Sequence, residues 1–186
     1  IPRGGSQTEA RRFAERNRVW LETQFQKLQA QPRHPVSWQP GSEIWFRGER
    51  VRIERIDSKH IKFGGEILDS TEPDTDLRPA IEKHLRVLAA RELPPRVLSF
   101  AARHGLSVQR VAVRNQKSRW GSCSRRGTIS LNWRLIQTPD LVRDYIILHE
   151  LAHLRQMTHS EGFWQVVELV CANYREAGRW LKERRE

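Results

Sequence analysis

The apolar positions of this chain change period twice, and each change marks a different kind of element. Over residues 6–30, Phe13, Trp20, Phe25 and Leu28 follow Ser6-Gln7-Thr8-Glu9, which has the S-x-x-E form of a capping box. The spacing predicts an amphipathic helix to about Ala30 with those four side chains buried. Pro32, Pro35 and Pro40-Gly41 then break the chain. From 43 to 68 the pattern alternates. Ile44 and Phe46 precede Gly48, Val51, Ile53 and Ile56 follow, and Ile61, Phe63 and Ile67 close the run. That reads as three short strands in a meander. Residues 69–76 are acidic and turn-rich, a linker that divides the chain into a helix-and-meander region, 1–76, and a second domain, 77–186.

The second domain returns to helical spacing. Residues 77–91 predict a helix, Pro94-Pro95 punctuates it, and another runs to about His104. Strands are expected at 108–113 and 128–133, with a loop at 115–124 between them. Thr138-Pro139-Asp140 offers an N-cap, a first-turn proline and a first-turn acid. The helix they open is expected to continue through His153 to about Met157. Ser160 is placed to cap a last helix carrying Phe163, Trp164, Val167 and Val170 to the C-terminus. Helix, sheet, helices, sheet, helices is the order of an α+β protein.

Composition narrows the class. The 186 residues carry 33 Lys plus Arg against 22 Asp plus Glu, a net charge of +11. No apolar run approaches the ~20 residues of a membrane span. Residues 1–6 contain no hydrophobic signal core, and Cys123 and Cys171 are too few for a disulfide scaffold. These features predict a cytoplasmic protein with no membrane partner. The chain does not open with Met, and its natural start is expected to lie upstream.

Within the helix that Asp140 opens lies His149-Glu150-Leu151-Ala152-His153, an H-E-x-x-H pattern. Histidines four apart stand one turn above each other, so both imidazoles can bind one metal ion. Glu150 projects from a neighbouring face, where its carboxylate can take a proton from water without occupying a coordination position. His159, six residues after His153, completes three protein ligands and leaves a fourth position open. In a chain with 7 His, H-E-x-x-H alone arises by chance with a probability of roughly 2%, and a third His at a fixed offset lowers that to about one in a thousand. One zinc ion per chain is the expected cofactor, because imidazoles with an open site suit it. A Glu from the following helix, Glu168 or Glu176, is the alternative third ligand.

Lys117-Ser118-Arg119-Trp120-Gly121-Ser122-Cys123-Ser124, then 129–136 and Pro139, Asp144-Tyr145, the H-E-x-x-H run and His159-Ser160 through Phe163-Trp164 together resemble the YgjP-like family of metal-dependent hydrolases. The likeness is strong over about 105–170. It implies a zincin-like metallopeptidase domain with a mixed sheet and an active-site helix, similar to the WLM and SprT-like proteases that act on DNA-bound proteins. It also implies His149, His153 and His159 as ligands and Glu150 as catalytic base. Metzincins share the six-residue offset but require Gly where Gln156 stands, and Met157, the only methionine, falls between the ligands instead of in a later Met-turn.

A peptide or protein substrate follows from that chemistry. Arg119, Trp120, Asn132 and Tyr145 are the substrate-binding candidates, with Arg119, Asn132 and Tyr145 available to stabilise an oxyanion. The strand at 128–133 is read as either an ordinary buried strand or the edge on which an extended peptide pairs. From Leu93 to Pro139 there is no Asp or Glu, while nine Lys and Arg lie there. That segment supports a second reading, a nucleic-acid-associated protease or adaptor with a structural or vestigial metal site, in which Trp120 stacks on a base. Cys123, Cys171 and Phe163 are expected to be packing residues, and His34, His60, His84 and His104 surface residues.

Overall fold

The computed structural model describes residues 6–30, 37–70 and 76–183, with the side chains of 27–30 also outside the description. By contacts the chain divides into Ile1–Ser37 and Trp38–Glu186. In the first unit the expected single helix is two, α1 (Gln7–Arg16) and α2 (Arg18–Ala30). They part at Asn17, whose side-chain amide donates to the Phe13 carbonyl at 2.8 Å, competing with the helical ladder. The capping box does not form, since the Ser6 side chain makes no cap bond. Nor are the apolar residues buried: Phe13, Trp20 and Phe25 are each about 60% exposed. Leu28 lies outside the described side chains.

The second unit opens with five strands where three are expected. A hairpin joins β1 (Glu43–Phe46) to β2 (Glu49–Arg52), and β3 (Glu54–Arg55), β4 (His60–Phe63) and β5 (Glu66–Asp69) form an antiparallel sheet in that order. Arg47-Gly48, with φ of 50° and 88°, make the β1–β2 turn, and positive φ at both central positions is the type I′ geometry that suits strand twist. Gly48 is required there for space as well: a Cβ would stand 2.9 Å from the Pro139 Cα. The Arg47 and Gly48 amides donate to the Ile136 and Gln137 carbonyls, so the hairpin docks on the turn before the metal-motif helix. Ile56 and Ile67 point outward, which shows that alternation found the strands but not which face of each is buried.

Next comes α3 (Arg78–Arg103), one helix of 26 residues that contains Pro94 and Pro95 in its interior. Two prolines remove two amide donors and ordinarily end a helix. Here Leu93, Val97 and Ala101 continue the buried stripe begun by Ile81, Leu85 and Leu88, and packing on both sides of the prolines offsets the lost bonds.

The second sheet contains β6 (Arg110–Arg114), β7 (Gly121–Cys123) and β8 (Thr128–Asn132) in the order β6-β8-β7. β6 runs parallel to β8 and β7 antiparallel to it, so the sheet is mixed. β8 is therefore central, correcting its reading as an edge for peptide pairing; β6 and β7, the latter hidden in the expected loop, are the edges among the described residues. A 3-10 turn (Trp133–Gln137) leads into α4 (Asp140–Ala152), followed by α5 (Glu161–Val170) and α6 (Tyr174–Glu183). Two helices thus replace the single last one, parting at residues 171–173.

One hydrophobic cluster unites Ile44, Phe46 and Phe63 of the strands with Ile81 and Leu85 of α3, Ile129 and Leu131 of β8, and Ile147 and Leu151 of α4. The meander and the metal-motif helix share this core. The contacts accordingly divide the chain at 37/38 rather than at the compositional boundary of 76/77.

Candidate active site and metal centre

α4 is fixed at its N-terminal end by a buried cation. Arg143, 1% exposed, donates from Nε to the Leu135 carbonyl and from Nη2 to the Thr138 carbonyl, both at 3.2 Å. It also pairs with Asp140 at 3.2 Å. Thr138 does not cap the helix; its hydroxyl donates back to Leu135, and Pro139 occupies the N-cap position. Arg96 of α3 holds Asp144 with a fork, one arm of which is 2.9 Å. α4 is thus tied to the turn before it and to α3, which aims its C-terminal turn.

That turn carries the histidines. α4 ends at Ala152, with His153 at its C-cap, and the chain bends to bring His159 back. One ligand atom from each of His149, His153 and His159 lies within 4.8 Å of the others. The Nε2 atoms of His149 and His159 stand 3.1 Å apart, close to the roughly 3.3 Å between two ligands of one tetrahedral ion at normal Zn–N distances. His153 donates from Nδ1 to the Gln156 carbonyl at 3.1 Å, which leaves the lone pair on Nε2. Phe163, fully buried at the start of α5, stacks on His153 at 4.5 Å and meets His149 and His159 edge-on at 4.9 and 4.8 Å. It fixes all three rings.

The electrostatics favour neutral imidazoles. Burial, reinforced by His153 and His159, pushes His149 down to about 4. His153 is also lowered, by burial and by His159 against the opposing Gln156 bond. Neutral rings present lone pairs, so the donor set fits a divalent late transition metal. Glu150 is 5% exposed, and burial raises its carboxyl to about 7, with Arg119 opposing. One of its oxygens, Oε2, has no hydrogen-bond partner among the described residues.

Gly121 of β7 makes the room for this carboxylate. A Cβ there would lie 2.6 Å from both Cγ and Oε1 of Glu150. Any larger residue at this strand position displaces the acid. A cavity of about 530 Å³ opens over this group, lined among others by Arg119, Trp120, Ser122, Tyr145, Met157 and Leu181.

Three of the four substrate-binding candidates, Arg119, Trp120 and Tyr145, are gathered around the cavity. Asn132 is not. It is buried, its amide nitrogen donates to the Gln116 and Arg119 carbonyls at 2.8 and 3.1 Å, and its Oδ1 accepts from the Arg134 amide. Its donors hold the loop in place, so none is left for an oxyanion. Glu168 lies 3.7 Å from Arg175 in an ion pair and is not in the histidine cluster. Cys171 is buried, while Cys123 lines the cavity, its thiol pushed up to about 11 by burial and by Glu150. His60 and His84 are half-buried beside Asp57 and Glu66, and His34 lies outside the described residues. Sequence reasoning missed β7, Gly121 and the α6 wall at Leu181. A three-residue Gly-Ser-Cys strand is too short and too poor in β-formers to register as alternation.

A helix bearing H-E-x-x-H, a third histidine from the turn beyond it, and a mixed sheet whose edge faces the acid define an α+β domain of the zincin-like metallopeptidase class. The model of the YgjP-like metallopeptidase domain matches residues 1–184, and the chain belongs to that family. Among solved structures, the crystal structure of the metallopeptidase zymogen of Pyrococcus abyssi abylysin is 27% identical with a TM-score of 0.44, covering 50% of this chain and 96% of that one. No curated protein matches the chain. Among the described residues, no helix is long and apolar enough to cross a membrane.

Proposed function

We propose that this chain is a zinc-dependent peptidase in which His149, His153 and His159 hold one ion and Glu150 is the general base. The observation that carries this reading is a buried carboxylate oxygen, unpartnered among the described residues, next in sequence to the first of three convergent imidazoles. When bound, the ion supplies Lewis acidity to water and to the scissile carbonyl. Glu150 takes the proton of the attacking water on its carboxylate and returns it to the leaving amine nitrogen. Burial favours the proton on Glu150 and a bound dication favours its loss, opposing pulls that suit a group which must accept and then donate. Tyr145, whose phenol burial keeps protonated, and Arg119 line the cavity as donors for the developing oxyanion. The edge of β7 offers backbone groups to an extended substrate, and Trp120 flanks it.

A purely structural metal site has no use for a buried acid beside its ligands, which argues against an adaptor with a vestigial centre. The free thiols of Cys123 and Cys171 support a reducing compartment, the cytoplasm. Elemental analysis with a casein hydrolysis assay tests the assignment. Glu150→Gln is expected to keep stoichiometric zinc and lose hydrolysis about a thousandfold, whereas His153→Ala loses the zinc itself. Retained turnover in Glu150→Gln overturns the mechanism.

A further inference from the structure

The cavity over the histidines shares one wall, Ser118, Arg119 and Trp120, with a second cavity of about 630 Å³. Gln116, Lys117, Asn132 and Arg134 complete the second lining, so it holds three cations and no acid. Leu93 to Pro139 contains no Asp or Glu to neutralise them locally. Three of the loop's carbonyls are spent as well, while the Gln116 Oε1 is a buried acceptor with no partner among the described residues. The Gln116 and Arg119 carbonyls accept from the Asn132 side chain, and the Trp120 carbonyl accepts from the Asn132 amide at 2.8 Å. Arg134 is held in place without losing its charge: its guanidinium lies over the Trp133 ring at 4.5 Å, and Nη1 donates to the neutral Asn115 Oδ1 at 2.8 Å. The result is a donor-rich recess opening beside the hydrolytic cavity.

We propose that this second cavity is a specificity subsite for an acidic side chain of the peptide substrate, with Lys117 and Arg134 as its cations and Arg119 on the wall it shares with the hydrolytic cavity. The inference rests on the peptidase reading and adds the substrate's chemistry to it. A peptide chain is favoured over nucleic acid because the three cations line a recess that shares a wall with the hydrolytic cavity. That recess also adjoins Gly121, the first residue of the β7 edge, so an extended chain paired there reaches it directly. Charge-assisted bonds to arginine supply the discrimination between Glu and its neutral isostere Gln.

The test uses the full-length, zinc-loaded Glu150→Gln protein and two fluorescein-labelled decapeptides that differ only in a Glu-Glu or Gln-Gln pair. Fluorescence anisotropy is expected to show the Glu peptide binding about tenfold tighter. In Lys117→Gln and Arg134→Gln backgrounds that ratio is expected to fall towards unity. Lys117 is exposed, so its variant keeps the test independent of folding. Equal binding of the two peptides, or a preference that survives both substitutions, overturns the subsite. So does an unlabelled ten-residue oligothymidylate that displaces the Glu peptide and itself binds more tightly, which reassigns the recess to nucleic acid. Casein hydrolysis by the wild-type protein separates the two levels. Hydrolysis without a Glu preference sinks the subsite alone, whereas a Glu preference without hydrolysis supports the subsite and sinks the peptidase reading.

Discussion

The α1–α2 pair and α4 both carry apolar residues at helical spacing, but α4 is the more apolar and their fates are opposite. Both were legible from apolar spacing behind a capping signal, and in both the expected cap bond is not made. In α4, Val142, Ile146, Ile147, Leu148 and Leu151 are buried. In α1 no residue is buried, and Phe13, Trp20 and Phe25 of the pair stay largely exposed. Periodicity therefore reports that a segment can form a helix with an apolar face. Whether that face is covered depends on a partner surface that the segment does not encode. The same contrast separates function from scaffold: α4 carries the acid and His149, with His153 at its C-cap, and its packed face holds them still.

The contrast is testable by cutting into each helix. The largest effect on stability is expected at Ile147→Ala, a fully buried site where the lost methylenes and the remaining cavity cost about 2–5 kcal/mol. Urea unfolding followed by circular dichroism measures it; a change below about 1 kcal/mol would mean that α4 is not anchored as described. Gly121→Ala acts next, on geometry more than on stability. The added methyl displaces the Glu150 carboxylate, so kcat for peptide hydrolysis is expected to fall about a hundredfold while zinc content is unchanged. Unchanged kcat would show that the acid does not need its glycine seat. The smallest effect belongs to the N-terminal pair. Trp20→Ser is expected to change unfolding stability by no more than about 0.5 kcal/mol, as for other exposed sites. A loss of 2 kcal/mol or more would reveal a buried face on α2 and erase the distinction between the two helices.

How much of the site could be read in advance follows from how local each part is. His149, Glu150 and His153 are fixed relative to one another by helix geometry, and His159 by a short excursion past the helix end. Sequence separation alone brings those four together. Lys117 to Ser124, by contrast, was recognisable as a motif but readable only as a loop. Its role depends on β7 pairing with β8, and on Asn132 taking up three of its carbonyls. Asn132 has the residue type of an oxyanion donor, but its hydrogen bonds are committed to the backbone. Pro94-Pro95 misled for a related reason. The local cost of two prolines is real, and the stripe from Ile81 to Ala101 outweighs it through long-range packing.

The chemistry is local to the chain: three imidazoles and a carboxylate stand at spacings that a single helix and one turn convert into a cluster. The positive charge between Leu93 and Pro139 is likewise determined by the sequence alone. What surrounds that chemistry comes from long-range contacts, namely which strands form the edges, which glycine seats the acid, and which three of the nine cations line one recess. The physical reason is range. Backbone periodicity and covalent spacing act over a few residues, whereas strand order, burial and cavity walls arise from contacts between segments far apart in the chain, whose free energies appear only when the partner is present.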